Sequence, residues 1–206
     1  TEGVIWYEIV FNSRTYFIKA TDVEVFQVVD NENHVELEPN HINFVAMGRL
    51  SPEKNHTNLI LAFKAVVERY GNAHLYILGD GAMRKALTEL IRMLDLKANV
   101  HLVGYVTNTK EYLAATDFFV HPSYYEGQPM VLLEALEQSA IVIASNIKAN
   151  IGVVGNQKFA YISNGVDANA LADALNFSIE HVMYFEEFDT NRYNTSAVND
   201  FVIKLL

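Results

Sequence analysis

Hydrophobic positions change their spacing partway along this chain. At the start they come as β-branched and aromatic runs: Val4, Ile5, Trp6, Tyr7, Ile9, Val10 and Phe11, then a polar Asn12-Ser13-Arg14, then Tyr16, Phe17 and Ile18. Apolar runs flanking a short polar turn predict a β-hairpin, with residues 23–29 as a third strand. Residues 30–40, rich in Asn, Asp and Glu and closed by Pro39-Asn40, predict a strand-free linker and a boundary near residue 40.

From Ile42 onward, short continuous apolar runs alternate with helical spacing. Runs at 42–47, 73–78, 100–103, 118–121, 141–144 and 159–162 predict six strands. Between them Leu59, Ala62, Phe63, Val66 and Tyr70, and again Met83, Ala86, Leu87, Leu90, Ile91 and Leu94, recur as one face of a helix. Further helical stretches are predicted at 168–187 and 196–206. Strands that are apolar throughout and separated by amphipathic helices predict a parallel sheet covered on both faces, so residues 41–206 read as a doubly wound α/β, Rossmann-like domain. In such a sheet ligands bind beyond the carboxyl ends of the strands, which directs the search for chemistry to the loops there.

Composition narrows the function classes. The chain has 206 residues, half of them hydrophobic, enough for one main core. A net charge of −10 with no basic stripe argues against nucleic acid as a partner. The absence of Cys excludes a disulfide framework, a thiolate metal site and a Cys nucleophile. The seven histidines form no His-x3-His pair, so no metal is expected. No apolar run is long enough to span a bilayer. The chain begins at Thr1, which suggests an excised piece of a longer polypeptide.

The loop Gly48-Arg49-Leu50-Ser51-Pro52-Glu53-Lys54 follows the strand at 42–47 and leads to a helix predicted to begin at 55–57. Arg49 can grip two oxygens at once and Lys54 supplies a compact charge, a combination suited to a diphosphate without a metal; a solvated surface pair is the alternative. Gly79-Asp80-Gly81 and Gly104-Tyr105-Val106 close the next two strands. Their glycines permit close backbone approach to a base edge, with Tyr105 or Val106 over a ring face, or else form plain strand-to-helix turns.

His121-Pro122-Ser123-Tyr124-Tyr125 leads from the fourth of these strands into Glu126-Gly127-Gln128. Helix is predicted to resume about Pro129, with free amides from Met130 to Leu132 suited to an anion. Glu134 stands among Val131, Leu132, Leu133, Ala135 and Leu136. It is therefore expected to be buried and to need hydroxyl donors such as those of a ribose, or an ion pair with Arg49 or Lys54. Glu126 reads as a loop carboxylate at the helix start, and His121 as a strand-end residue packed under the loop.

Taken in order, Gly-Arg-Leu-x-x-x-Lys, Gly-x-Gly, Gly-Tyr-Val, Pro-Ser-x-x-Glu-Gly and Glu-x7-Glu resemble the carboxyl-terminal domain of GT-B retaining glycosyltransferases of family 4, over roughly residues 41–206. The resemblance implies a hexosyl transferase that takes a nucleoside-diphosphate sugar, a UDP-sugar foremost, and needs no metal or other cofactor. It implies that Arg49 and Lys54 hold the diphosphate and that Gly104, Tyr105 and Val106 line the nucleobase. Glu134 would take the ribose hydroxyls, and Met130 and Val131 would offer helix-start amides. Glu126, the catalytic candidate, would hold the donor sugar with the backbone of Gly127 and Gln128. It further implies an amino-terminal GT-B domain in the same polypeptide, a glycan, teichoic-acid-like or lipid-linked acceptor, and a cytoplasmic location, with peripheral attachment to the inner membrane face left open.

Gln128-Pro129 stands where the family usually has Phe-Gly, which leaves the sugar preference open. That variant is similar to transferases linked to wall polymers, and residues 1–40 weakly resemble the end of an SH3-like wall-binding repeat. Those forty residues cannot be the missing domain. Because transfer requires donor and acceptor aligned in a closed cleft, the fragment is expected to bind nucleotide weakly and to transfer nothing alone. A related GT-B epimerase or phosphorylase, and a non-catalytic nucleotide-binding or wall-polymer interaction module, remain as alternatives.

Overall fold

The structure, a computed structural model, describes residues 6–11, 14–19, 37, 40–155 and 160–181. The chain divides into two units, residues 1–30 and 31–206. In the first, β1 (Trp6–Phe11) and β2 (Arg14–Lys19) pair antiparallel, Trp6 opposite Lys19 and Phe11 opposite Arg14, which is the hairpin predicted from the apolar runs. The third strand expected at 23–29 and the helical stretch at 196–206 lie outside the described residues.

The second unit alternates strand and helix: β3 (Ile42–Met47), α1 (His56–Arg69), β4 (Ala73–Leu78), α2 (Arg84–Met93), β5 (Val100–Gly104), α3 (Thr109–Ala115), β6 (Phe118–His121), α4 (Met130–Glu137), β7 (Ile141–Ser145), α5 (Lys148–Val154), β8 (Ala160–Ser163) and α6 (Ala168–Glu180). The strands form one six-stranded sheet in the order β5-β4-β3-β6-β7-β8, every pairing parallel. From β3 the chain winds outward through β4 and β5, then returns to place β6 on the other side of β3. The loops after β3 and β6 therefore leave the sheet in opposite directions, and a crevice opens between them.

Side-chain alternation in the strands builds two cores. Phe44 and Ala46 of β3 face α1, α2 and α6, packing with Phe63, Leu75, Ile77, Phe118 and Leu171. Val45 and Met47 face the other way, toward α3, α4 and α5, with Tyr76, Leu113, Phe119, Leu132 and Val142. Phe44 stacks on Phe118 with ring centres 4.8 Å apart and meets Phe63 edge-on at 5.3 Å. Each such fully buried ring contributes roughly 2–3 kcal/mol of hydrophobic stabilisation. These layers are the doubly wound α/β architecture read from the spacing of apolar residues.

All six strands lie where their apolar runs predicted. The short helices α3 and α5, seven residues each, carry too little periodicity to stand out in the sequence. The helix expected at 168–187 is described as α6, ending at Glu180; Asp167 caps it, accepting from the amides of Asn169 and Ala170 at 3.0 and 3.1 Å. Among the described residues no helix is long and apolar enough to cross a membrane.

Candidate functional site

The loops at the carboxyl ends of β3, β4 and β5 are stitched to one another by their backbones. Gly48 N donates to Leu78 O at 3.0 Å, Leu50 N to Asp80 O at 2.9 Å, Met83 N to Leu50 O at 2.9 Å and Gly79 N to Gly104 O at 2.6 Å. The glycines serve this stitching. A Cβ on Gly79, whose φ is +134°, would overlap the Gly48 carbonyl oxygen, and one on Gly81 would fall 2.6 Å from Leu50 O. The close approach foreseen for a base edge is occupied at these two positions by the neighbouring loop. Gly104 is buried, Val106 packs partly against the second core, and the Tyr105 ring is exposed on the rim.

After β3, Pro52–Lys54 make one 3-10 turn, and Asn55, in the left-handed region at φ 58°, hands the chain to α1. Asn55 is buried and its amide nitrogen donates to Pro122 O at 3.0 Å and Val166 O at 2.7 Å. One side chain thus ties the loop after β6 and the loop after β8 to the start of α1. Tyr124 reinforces the tie, its amide donating to Glu53 O at 2.8 Å and its hydroxyl lying 2.6 Å from the Asn58 amide nitrogen. Ser145 Oγ donates to Ser123 O at 2.6 Å and itself accepts from Asn150.

This frame brings Lys54 and Glu126 together across the crevice. Lys54 Nζ lies 2.6 Å from Glu126 Oε1, and its aliphatic stem runs over Gly48. Ser123 Oγ donates to the same Oε1 at 2.7 Å, and His121 Nε2 lies 3.1 Å from it without forming a well-formed hydrogen bond. Burial raises the pKa of Glu126, but His121, Lys54 and Ser123 outweigh burial and bring it down from 4.5 to about 2. Beside this group His56 is buried at the start of α1, its Nδ1 without a hydrogen-bond partner among the described residues. Burial, then the charges of Lys54 and His121, depress its pKa from 6.5 to about 4. Arg49 is exposed on the same rim, with no ion-pair partner among the described residues.

Two expectations are corrected. Glu134 is exposed, not buried: on α4 the inward face is Leu132, Ala135 and Leu136, and helical spacing turns Glu134 and Glu137 outward despite their apolar neighbours in sequence. The ion pair considered for Glu134 belongs instead to Glu126. The start of α4 also offers fewer free amides than expected. Met130 N donates to Gln128 O at 2.9 Å and Leu132 N to Pro129 O at 3.0 Å, leaving the Val131 amide without a backbone acceptor among the described residues. Pro129 lies just outside α4 and is buried, while Gly127, Gln128 and Met130 are exposed beside the crevice.

His121 and Ser123, whose contacts with Glu126 sequence reasoning did not foresee, lie five and three residues before it. Their signal was present: polar side chains where a buried strand meets a loop need partners. Among the described residues no group of His, Asp or Glu is arranged to hold a metal ion. Three histidines do stack, His41 on His74 at 4.1 Å and His74 on His101 at 5.5 Å, at the amino-terminal ends of β3, β4 and β5, away from this rim.

The sequence matches the family described as Glycosyl transferases group 1 over residues 30–194. It is 42% identical over 105 residues to an uncharacterised glycosyltransferase of Methanocaldococcus jannaschii, covering 51% of this chain and 26% of that protein. It is 30% identical over 164 residues to the Escherichia coli UDP-Gal:alpha-D-GlcNAc-diphosphoundecaprenol alpha-1,3-galactosyltransferase, covering 76% of this chain and 42% of that one. The fold superposes on an S. aureus TarM mutant solved with fondaparinux, alpha-GlcNAc-glycerol and UDP, with a TM-score of 0.72 and 22% identity over 86% of this chain and 38% of the other. The chain thus spans less than half the length of these proteins. A family match across most of the second unit joins a parallel sheet whose crevice gathers the strand-end motifs, and the chain belongs to the glycosyl transferases group 1 family.

Proposed function

We propose that residues 41–206 form the donor-nucleotide domain of a retaining glycosyltransferase that takes a UDP-sugar and acts on a glycan, wall-polymer or lipid-linked acceptor. The observation that carries this reading is the meeting of Lys54 and Glu126, 2.6 Å apart, across the crevice where strand order reverses. In this reading Arg49 and Lys54 take the charge of the diphosphate, which lets a nucleoside diphosphate leave without a metal. The exposed Glu134 carboxylate accepts the ribose hydroxyls, the Val131 amide meets a phosphate oxygen, and Tyr105 and Val106 cover the base. Glu126, with Gly127 and Gln128, holds the sugar. The UDP bound in the TarM structure and the UDP-Gal in the E. coli relative's name support uracil as the base; the alpha-GlcNAc-glycerol of the former and the diphosphoundecaprenol of the latter support an acceptor of wall-polymer or lipid-linked type. A second domain of the same polypeptide supplies the acceptor side of the cleft, so this chain alone transfers no sugar, and the full-length protein works in the cytoplasm beside the membrane.

The test is calorimetric titration of the chain with UDP, GDP, CDP and ADP, repeated on Arg49→Ala and Glu134→Ala. Selective binding of one diphosphate, weakened about tenfold in each variant, is expected. Binding unchanged in both variants would overturn the assignment.

A further inference from the structure

Within the crevice one buried side chain has no role in the donor reading. His121 is 1% exposed at the end of β6, and its Nε2 lies 3.1 Å from Glu126 Oε1 yet makes no well-formed hydrogen bond among the described residues. A buried imidazole nitrogen left without a partner is costly, so its placement against a carboxylate calls for an account. Lys54, Ser123 and His121 all converge on Oε1, while Oε2 has no donor among the described residues. The carboxylate is therefore held by one oxygen and open at the other.

We propose that His121 is the positioning residue for Glu126: with Ser123 it pins Oε1 from beneath the loop and presents Oε2 to the donor sugar. The assignment of a sugar to Oε2 rests on the donor reading above; the pinning itself does not. The two anchors differ in kind. Lys54 stands on the β3 side of the crevice, where a diphosphate competes for its charge. Ser123 and His121 stand on the β6 side, buried, and Ser123 is locked through its carbonyl by Ser145. When a diphosphate draws Lys54, the Ser123 hydroxyl keeps Glu126 in place, and the His121 imidazole, 3.1 Å from Oε1, turns to donate to it as well. A carboxylate that must meet a sugar within a few tenths of an ångström needs support of this kind.

The experiment compares His121→Phe, which keeps the ring and removes the donor, with His121→Gln, whose amide reaches the position of Nε2. Should the Phe variant fail to fold, His121→Asn, too short to reach Oε1, takes its place. The first readout needs no ligand: carbon-13 NMR titration of the Glu126 carboxyl, expected to move upward by about one pH unit in the Phe variant and to stay near the wild-type value in the Gln variant. An unchanged midpoint in the Phe variant overturns the proposal. The second readout is the affinity for UDP-glucose and UDP-N-acetylglucosamine relative to UDP. In the Phe variant the increment due to the sugar falls about tenfold while UDP itself binds within twofold of wild type, and the Gln variant recovers the increment. A full increment in the Phe variant overturns the link between His121 and the sugar. If the Glu126 midpoint moves but wild type gains nothing from either sugar, the pinning stands and the sugar assignment to Oε2 falls.

Discussion

Lys54 and Glu126, seventy-two residues apart in the chain, meet at 2.6 Å with side chains 22% and 11% exposed. The contact joins the loop after β3 to the loop after β6 at the point where the sheet changes its direction of winding.

Replacing Lys54 by Met leaves a largely enclosed carboxylate supported by Ser123 and His121 alone. A loss of about 1–2 kcal/mol in urea unfolding is expected, less than for a fully enclosed pair because the crevice admits water. Glu126→Gln in the same background should cost less than it does in wild type, because the two side chains share one interaction. Strict additivity in the double variant would show that the contact contributes nothing.

Acid stability carries a second prediction. The folded-state pKa of His56 is depressed from 6.5 to about 4, by burial first, and that of His101 is lowered, by burial and then by His41. The unfolded chain therefore binds more protons than the folded chain once the pH falls below the unfolded value. Stability is full above about pH 6.5 and declines as the pH falls toward 4; His56 alone accounts for roughly 3 kcal/mol of that decline. Glu126, depressed from 4.5 to about 2, adds a further loss as the pH falls from 4.5 toward 2. Urea midpoints measured from pH 8 to pH 4 should show the slope, and His56→Asn should flatten it; an equally steep slope in that variant would remove His56 as the cause.

The two kinds of glycine on the rim separate fold from function. Gly79→Ala places a methyl group on the Gly48 carbonyl at a φ of +134°, and a loss of about 3 kcal/mol or more is expected. Gly127→Ala meets no atom within 4 Å, so its melting temperature should stay within about 2 °C of wild type. Differential scanning calorimetry of the two variants decides this.

Asn55 offers the sharpest test of the frame. Asn55→Ala loses the donors to Pro122 O and Val166 O and leaves alanine at φ 58°, for an expected cost of about 2–4 kcal/mol. Asn55→Gly relieves the backbone but not the two orphaned carbonyls and should fall between the alanine variant and wild type. Equal stability of the glycine variant and wild type would show that only the backbone conformation matters there.

Six parallel strands and the helical faces of α1 and α2 could be read from residue order alone, because continuous apolar runs and 3.6-residue spacing are local properties of the chain. So could the rim on which Arg49, Lys54, Tyr105 and Glu126 stand, since each follows a strand and parallel strands put those ends together. Which carboxylate is enclosed could not. Glu134 has five apolar residues close by in sequence yet faces outward, because a helix sorts residues by angle and not by proximity along the chain. Glu126 sits among Tyr125, Gly127 and Gln128 yet is enclosed, because Lys54, Ser123 and His121 arrive from two strands that the fold places side by side. Long-range pairing of β3 with β6 decides that encounter, as the pairing of β3 with β4 decides that Gly79 and Gly81 face a neighbouring loop. The chain by itself determines the layers and the edge on which chemistry can occur; only the packing of one loop against another decides which groups on that edge hold one another.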